Sequence, residues 1–184
     1  MPQPIFVTFA AGTRGFWRID SVDAVVGAGL PAAERLAVVE GPMAITARIM
    51  AWTLRGTTSN TRYTIRAEVA DLVARQQGLA RPQATRAALI PIRKTEAWWS
   101  MAQDERRAIL EEQSRHIAVG LKYLPAVARR LHHSRELTEP FDFLTWFEYA
   151  PEHASDFEEL VSELRKTEEW RYVDREVDIR LTRD

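Results

Sequence analysis

The 184-residue chain contains no cysteine, which excludes disulfides, iron–sulfur clusters, thiolate-ligated metals, a thiol nucleophile and covalent c-type haem attachment. It has no excess charge of either sign: 25 Lys+Arg stand against 26 Asp+Glu, a formal net charge of −1. That balance gives no general attraction to nucleic acid or to an anionic membrane. No apolar run approaches the roughly 20 residues of a membrane span. The start, MPQPIFVTFAAGTRG, has no positively charged segment, and its short apolar run is preceded by Pro2 and Pro4. Neither a secretory signal nor a membrane anchor is read there, and a cytoplasmic protein is expected. H-E-x-x-H, P-loop and G-x-S-x-G patterns are all missing, which removes the commonest hydrolase and NTPase signatures. Residues 25–32, VVGAGLPA, match G-x-G-x-x-A, but Pro31 interrupts the helix that would face a pyrophosphate. A glycine-rich turn is the better reading.

What is present is a composition of 46% hydrophobic and 28% charged residues, that of one globular domain or two small subdomains sharing a core. Strands are expected at 5–11, 15–20, 44–54 and 62–70, the second pairing with the first across the Gly12–Gly15 turn. A short helix is expected around 31–38, and helix or loop over 71–90. The clearest helix is 101–116, with a Ser100/Gln103 capping box and a stopping point at Gly120. In FDFLTWFEYA, residues 141–150, strand alternation puts Phe141, Phe143, Thr145, Phe147 and Tyr149 on one face and Asp142, Leu144, Trp146 and Glu148 on the other. Val127, Arg129 and Leu131 share a face of a preceding strand, and a last strand covers 172–181. Between them, 152–167 reads as an amphipathic helix whose inner stripe is Phe157, Leu160, Val161 and Leu164. Strands and helices without βαβα order give an α+β fold with an antiparallel sheet and flanking helices.

Histidines and tryptophans are the residues with chemistry to offer. His132 and His133 are neighbours on a strand, so they point to opposite faces and cannot easily share a metal; with His153 they read as solvated surface. His116 closes the expected helix beside apolar Ile117, Ala118 and Leu121, and is either a satisfied core residue or a ligand. The six tryptophans, with Trp98–Trp99 adjacent, suit core packing or a flat aromatic ligand.

From Lys94 to Arg183 the chain resembles the chlorite dismutase family of haem b proteins. The resemblance lies in KTEAWW at 94–99, SRHIAVGLKYLPAVARRLHHSREL at 114–137, FDFLTWFE at 141–148 and TEEWRYVDREVDIRLTR at 167–183. It implies that His116 is the proximal ligand of haem iron and that Lys94 and Glu169 surround and hydrogen-bond it. Trp98 and Trp99 would pack on the proximal side, with Leu121 also in the haem pocket. Arg129 would be the distal arginine of members that decompose chlorite, and Thr145 and Phe147 would line the distal pocket. Tyr63 is a candidate for contact with a haem propionate.

The resemblance implies non-covalent haem b as cofactor and chlorite as substrate, split to chloride and O2 through a ferryl species. It also implies a ferredoxin-like fold of the dimeric α+β barrel type, with a truncated N-terminal half over 1–90 and a C-terminal haem-binding half over 91–184. The length resembles the short, dimeric lineage of the family, so a homodimer is expected. The alternatives in the same superfamily are a coproheme decarboxylase or a peroxidase-like enzyme; a non-catalytic haem-binding protein is a third.

Overall fold

The structure, a computed structural model, describes residues 3–41, 50–58 and 64–183. Its strands are β1 (Phe6–Gly12), β2 (Trp17–Val26), β3 (Arg35–Glu40), β4 (Met50–Thr58), β5 (Arg86–Lys94), β6 (Ala128–His133), β7 (Phe143–Tyr149) and β8 (Val173–Thr182). They close into an antiparallel barrel in the order β1-β3-β2-β8-β5-β7-β6-β4. Each half of the chain supplies four neighbouring strands. Counted within its own half, each set runs in the order 4-1-3-2. Residue 90 lies within β5. Among the described residues no helix is long and apolar enough to cross a membrane.

Alternation sorts the side chains into two layers. Val7, Phe9, Leu54, Leu89, Leu144, Trp146, Val177 and Ile179 turn inward and fill the barrel. On the outside of the C-terminal half, Ala88, Ile90, Ile92 and Phe147 pack against a helix, α5 (Ala154–Arg165), through Phe157, Leu160, Val161 and Leu164. That is the helical stripe expected from sequence and, within β7, the expected alternation; Phe141, expected on the face of Phe147, precedes the strand and packs into the barrel core instead.

Several expectations are corrected. β2 does not pair with β1; β3 lies between them, and β2 pairs with β3 and β8. Period-2 patterning fixes which face is buried but not which strand is the neighbour. The connection crosses β3 at Gly15, where a Cβ would run into the Leu36 backbone. The segment expected as a helix around 31–38 contains β3. The run at 62–70 gives a helix, α1 (Arg66–Arg75), because Ile65, Val69, Leu72 and Val73 also follow a three-to-four spacing and Glu68 accepts the Ile65 N–H. Tyr63 and residues 44–49 lie outside the described residues. β5 emerges from a stretch expected as helix or loop. It is buried on both faces and so shows an apolar run, RAALIPIRK, in place of alternation.

The segment 101–116 is the most instructive correction. After α2 (Glu96–Ser100) the cap is Ala102, whose N–H donates to Glu105, and α3 (Gln103–Arg107) passes into a π-helical stretch at Ala108–Gln113. Ser100 Oγ instead donates to the Glu96 carbonyl. Arg115 then adopts a left-handed backbone with φ 53°, and His116 opens a new helix, α4 (His116–Lys122), which runs through Gly120. Glu111 accepts the N–H groups of Ile117 and Ala118 at its start. A periodic pattern cannot reveal a helix broken in this way.

A candidate haem-binding site

The site lies outside the barrel, between the outer face of β5–β7 and the helices α4 and α5. The left-handed Arg115 aims the first side chain of α4, His116, at this gap. His116 Nδ1 lies 2.6 Å from Glu169 Oε2, and Lys94 Nζ lies 2.8 Å from Glu169 Oε1. Lys94 and Glu169 are both buried, so the pair is shielded from solvent. Burial alone would raise the Glu169 carboxyl, but His116 and Lys94 outweigh it and lower its pKa to about 2. Lys94 Nζ also lies 4.5 Å from the Trp98 ring centroid. A carboxylate on Nδ1 fixes the imidazole's orientation and leaves Nε2 as the nitrogen for a metal.

β6 turns Arg129 outward to the same gap, in register with Phe147 of β7. His116, Arg129, Thr145, Phe147, Ile90, Ile92, Val161, Leu164, Trp170 and Glu176 line one cavity of about 50 Å³. The Arg129 side chain makes no hydrogen bond or ion pair among the described residues. Burial moves its pKa below the ordinary arginine value, partly offset by the Glu111 carboxylate. A cation in a cavity without a counter-ion is a site for an anion.

The structure thus brings His116, Lys94, Glu169, Arg129, Thr145 and Phe147 together. Trp98 stands behind Lys94. Trp99 does not line the cavity: its indole donates to Asp142 and stacks on Phe143, with the Arg135 guanidinium 4.1 Å from its centroid. Leu121 packs with Trp98, Ile109, Leu110 and Ile117, also away from the wall. Two further wall residues are Trp170, which the sequence offered only as one of six tryptophans and within the motif at 167–183, and Glu176, which it offered only within that motif. Trp170 follows Glu169 directly, and Glu176 shares the outward face of β8 with Asp178. His132 and His133 are buried, not solvated, because each packs into one face of a sheet that is covered on both sides here. His132 Nδ1 meets the Leu144 carbonyl at 2.9 Å and its Nε2 accepts from Arg130 at 3.1 Å. His153 sits half-exposed at the start of α5, 2.9 Å from Asp156.

The family model described as chlorite dismutase matches residues 43–184. The chain belongs to the chlorite dismutase family. A crystal structure of a dimeric chlorite dismutase from Nitrobacter winogradskyi is 58% identical, with a TM-score of 0.89 over 97% of this chain and 99% of that one. The chlorite dismutase of Ideonella dechloratans is 34% identical over 84 residues, which span 46% of this chain and 27% of that protein. Chlorite dismutase from Candidatus Nitrospira defluvii, solved with imidazole, shares the fold with a TM-score of 0.71 at 20% identity, over 98% and 91% of the two chains.

Haem is the cofactor this family membership implies, and the residues suit it. The cavity offers an imidazole with a carboxylate on its far nitrogen, apolar walls from Ile90, Ile92, Phe147, Val161 and Leu164, and a guanidinium with no ion pair among the described residues. Gly120, one turn beyond His116, presents bare backbone to that guanidinium, and a Cβ there would collide with it.

Proposed function

We propose that the protein is a haem b enzyme that converts chlorite to chloride and O2. The observation that carries this reading is that two unlike groups face one cavity: His116, braced by Glu169 and Lys94, and Arg129, which has no counter-ion among the described residues. Haem bound through His116 Nε2 would supply a ferric centre able to take chlorite as a ligand and to accept and return an oxygen atom.

The chain's own residues do the rest. Glu169 holds the Nδ1 proton of His116, which keeps the ring in one tautomer and makes Nε2 more electron-donating. Lys94 keeps Glu169 ionised in a buried place, so that this hydrogen bond is charge-assisted. Arg129 attracts the chlorite anion and, remaining a cation at any working pH, grips two oxygens with its fork. Once the O–Cl bond is cut, the same guanidinium retains the chlorine-bearing fragment until its oxygen is joined to the other, a proximity effect. One ClO2⁻ gives one Cl⁻ and one O2, so no proton or external electron is consumed. Phe147, Ile90 and Ile92 keep water and reducing solutes away from the reacting oxygens.

Two finer points belong to the same reading. The 4-1-3-2 strand order in each half supports two ferredoxin-like halves, with the division before β5 and not at 90/91, which would split that strand. The similarity to the dimeric Nitrobacter winogradskyi protein over almost the whole chain supports a homodimer, which light scattering would measure.

The deciding experiment adds chlorite to hemin-reconstituted protein in an oxygen electrode, with free hemin as control. O2 release well above hemin alone supports the proposal. A protein with a full Soret band and no O2 release would instead favour the decarboxylase, peroxidase-like or carrier alternatives.

A further inference from the structure

We propose that Trp170 and Glu176 are positioning residues for His116, locking the plane of its imidazole, a role that rests on the haem reading above. Glu169 secures one edge of the ring through a single contact at Nδ1. That hydrogen bond and the Cβ–Cγ tether place the Nδ1 edge, but neither touches the faces of the ring, so a contact there is needed to stiffen its plane.

Trp170 supplies what is missing. Its indole lies 17° from parallel to the imidazole at a centroid distance of 6.4 Å, an offset stack. The indole is itself held: Nε1 donates to Glu176 Oε2 at 2.7 Å. Glu176 is fully buried on β8, and its other oxygen accepts from Arg165 of α5 at 2.7–2.8 Å. Arg165 is anchored a second time by Asp178 at 2.8 Å. A chain of directed contacts therefore runs from α5 through Arg165, Glu176 and Trp170 to the face of His116.

The edge contact and the face contact come from consecutive residues. Glu169 and Trp170 share the single 3₁₀ turn Glu168–Tyr172. That turn is fixed at both ends: Glu169 N–H donates to buried Ser114 Oγ at 2.8 Å, and the Tyr172 carbonyl accepts from Thr95 N–H at 2.8 Å. The Ser114 tie connects it to the residues just before His116. One short turn thus delivers both constraints on the ring from a frame rigid on the scale of the contacts it makes. Neither Trp170 nor Glu176 is needed to explain iron ligation or chlorite capture, yet both reach the cavity wall.

The test compares hemin-loaded wild type with W170F and W170A. Phenylalanine keeps a ring face but has no N–H for Glu176; alanine removes both. The readouts are the ferric EPR line shape and the iron–histidine stretch of the reduced protein, alongside hemin affinity and steady-state kinetics. The expected result is a single narrow ferric signal in the wild type, broadened or split in W170F and more so in W170A. The stretch should shift in the same order. The kcat of W170A should fall about tenfold, the scale for removing an outer partner of a ligand, with KM unchanged because Arg129 still captures chlorite. Wild-type line shape, stretch and kcat in both variants overturn the brace. If W170A does not fold, W170F decides alone, and an unchanged signal there overturns the lock by Glu176. A wild type without a Soret band overturns the haem reading and the brace with it.

Discussion

The two halves of the barrel have the same strand order, yet among the described residues only one carries a site. β1 to β4 give their inner faces to the core, and their outer faces present residues such as Arg18, Asp20, Arg35 and Arg55. The outer face of β5 to β8 carries Ile90, Ile92, Phe147 and Val173, with α5 laid across it. What separates the halves is the layer above the strands. The connection from β5 to β6 holds α2, α3, the π-helical stretch and α4, and so carries Trp98, Glu111 and His116. The connection from β7 to β8 holds α5 and the turn with Glu169 and Trp170. The sheet supplies walls, Arg129 and, at the end of β5, Lys94, but the ligand His116 and its partner Glu169 need those helical connections. Function here sits in what is inserted between strands, not in the strand order itself.

The largest effect that would break this comparison is expected at Arg129, the strand's own contribution. R129A should lower chlorite turnover by about 10² to 10³-fold, the scale for losing one preorganised charge, and should shorten enzyme lifetime as the chlorine-bearing fragment escapes and bleaches the haem. Initial rates and total O2 per enzyme measure the two effects; a variant as fast and as durable as the parent removes this role. H116A should abolish stoichiometric hemin binding, read from the Soret band, and an unchanged band excludes it as the ligand.

Next in size is the buried pair. K94A leaves Glu169 without its lysine partner in a place closed to water, which should cost about 3–5 kcal/mol of stability. Urea unfolding of the protein without hemin measures it. A loss below 1 kcal/mol would mean that water reaches Glu169 and that the site is less closed than its geometry indicates.

How much of this was legible in the sequence differs by residue. The alternation of 141–150 placed Thr145 and Phe147 correctly together, and the stripe of 152–167 identified the covering helix, because period alone decides both. His116 as a ligand and its link to Lys94 and Glu169 entered through the family resemblance. The residues span 75 positions, and no spacing rule brings Lys94 to Glu169. The break at Arg115 was hidden because a left-handed residue without glycine leaves no pattern. β5 was hidden because alanines buried on both sides of a sheet look like a helix. Trp170 was quoted within a motif but had no role until its plane was seen beside the imidazole.

The barrel interior provides a pH prediction that the outer site should not share. Burial, together with the Arg130 cation and the neighbouring His133, outweighs the Leu144 hydrogen bond and Glu40 and lowers the His132 pKa from 6.5 to about 4. The folded protein therefore resists protonation where the unfolded chain accepts it. This stabilising contribution is complete above about pH 6.5 and is lost progressively down to about pH 4, by about 3 kcal/mol at 1.36 kcal/mol per pH unit. Unfolding midpoints across that range should fall in the wild type and fall less in H132F, which retains a ring against Phe9. Equal slopes would mean that His132 is not the group responsible.

The smallest expected effect sharpens the comparison most. Trp52 lies in β4 of the N-terminal half, in the barrel core, and its indole donates to the Pro31 carbonyl at 2.9 Å. W52F keeps an aromatic ring there but removes that donor, and should cost about 1 kcal/mol, the net worth of one hydrogen bond. If the two halves divide the work between scaffold and site, this loss should appear in unfolding midpoints while hemin affinity, the ferric EPR signal and chlorite kcat stay at wild-type values. The contrast with W170F is then direct, since both variants remove one indole N–H and only one of those indoles faces the imidazole. A W52F protein with an altered ferric signal would mean that the core transmits strain across β5 to β8 to the site, and the division between the halves would be one of sequence only.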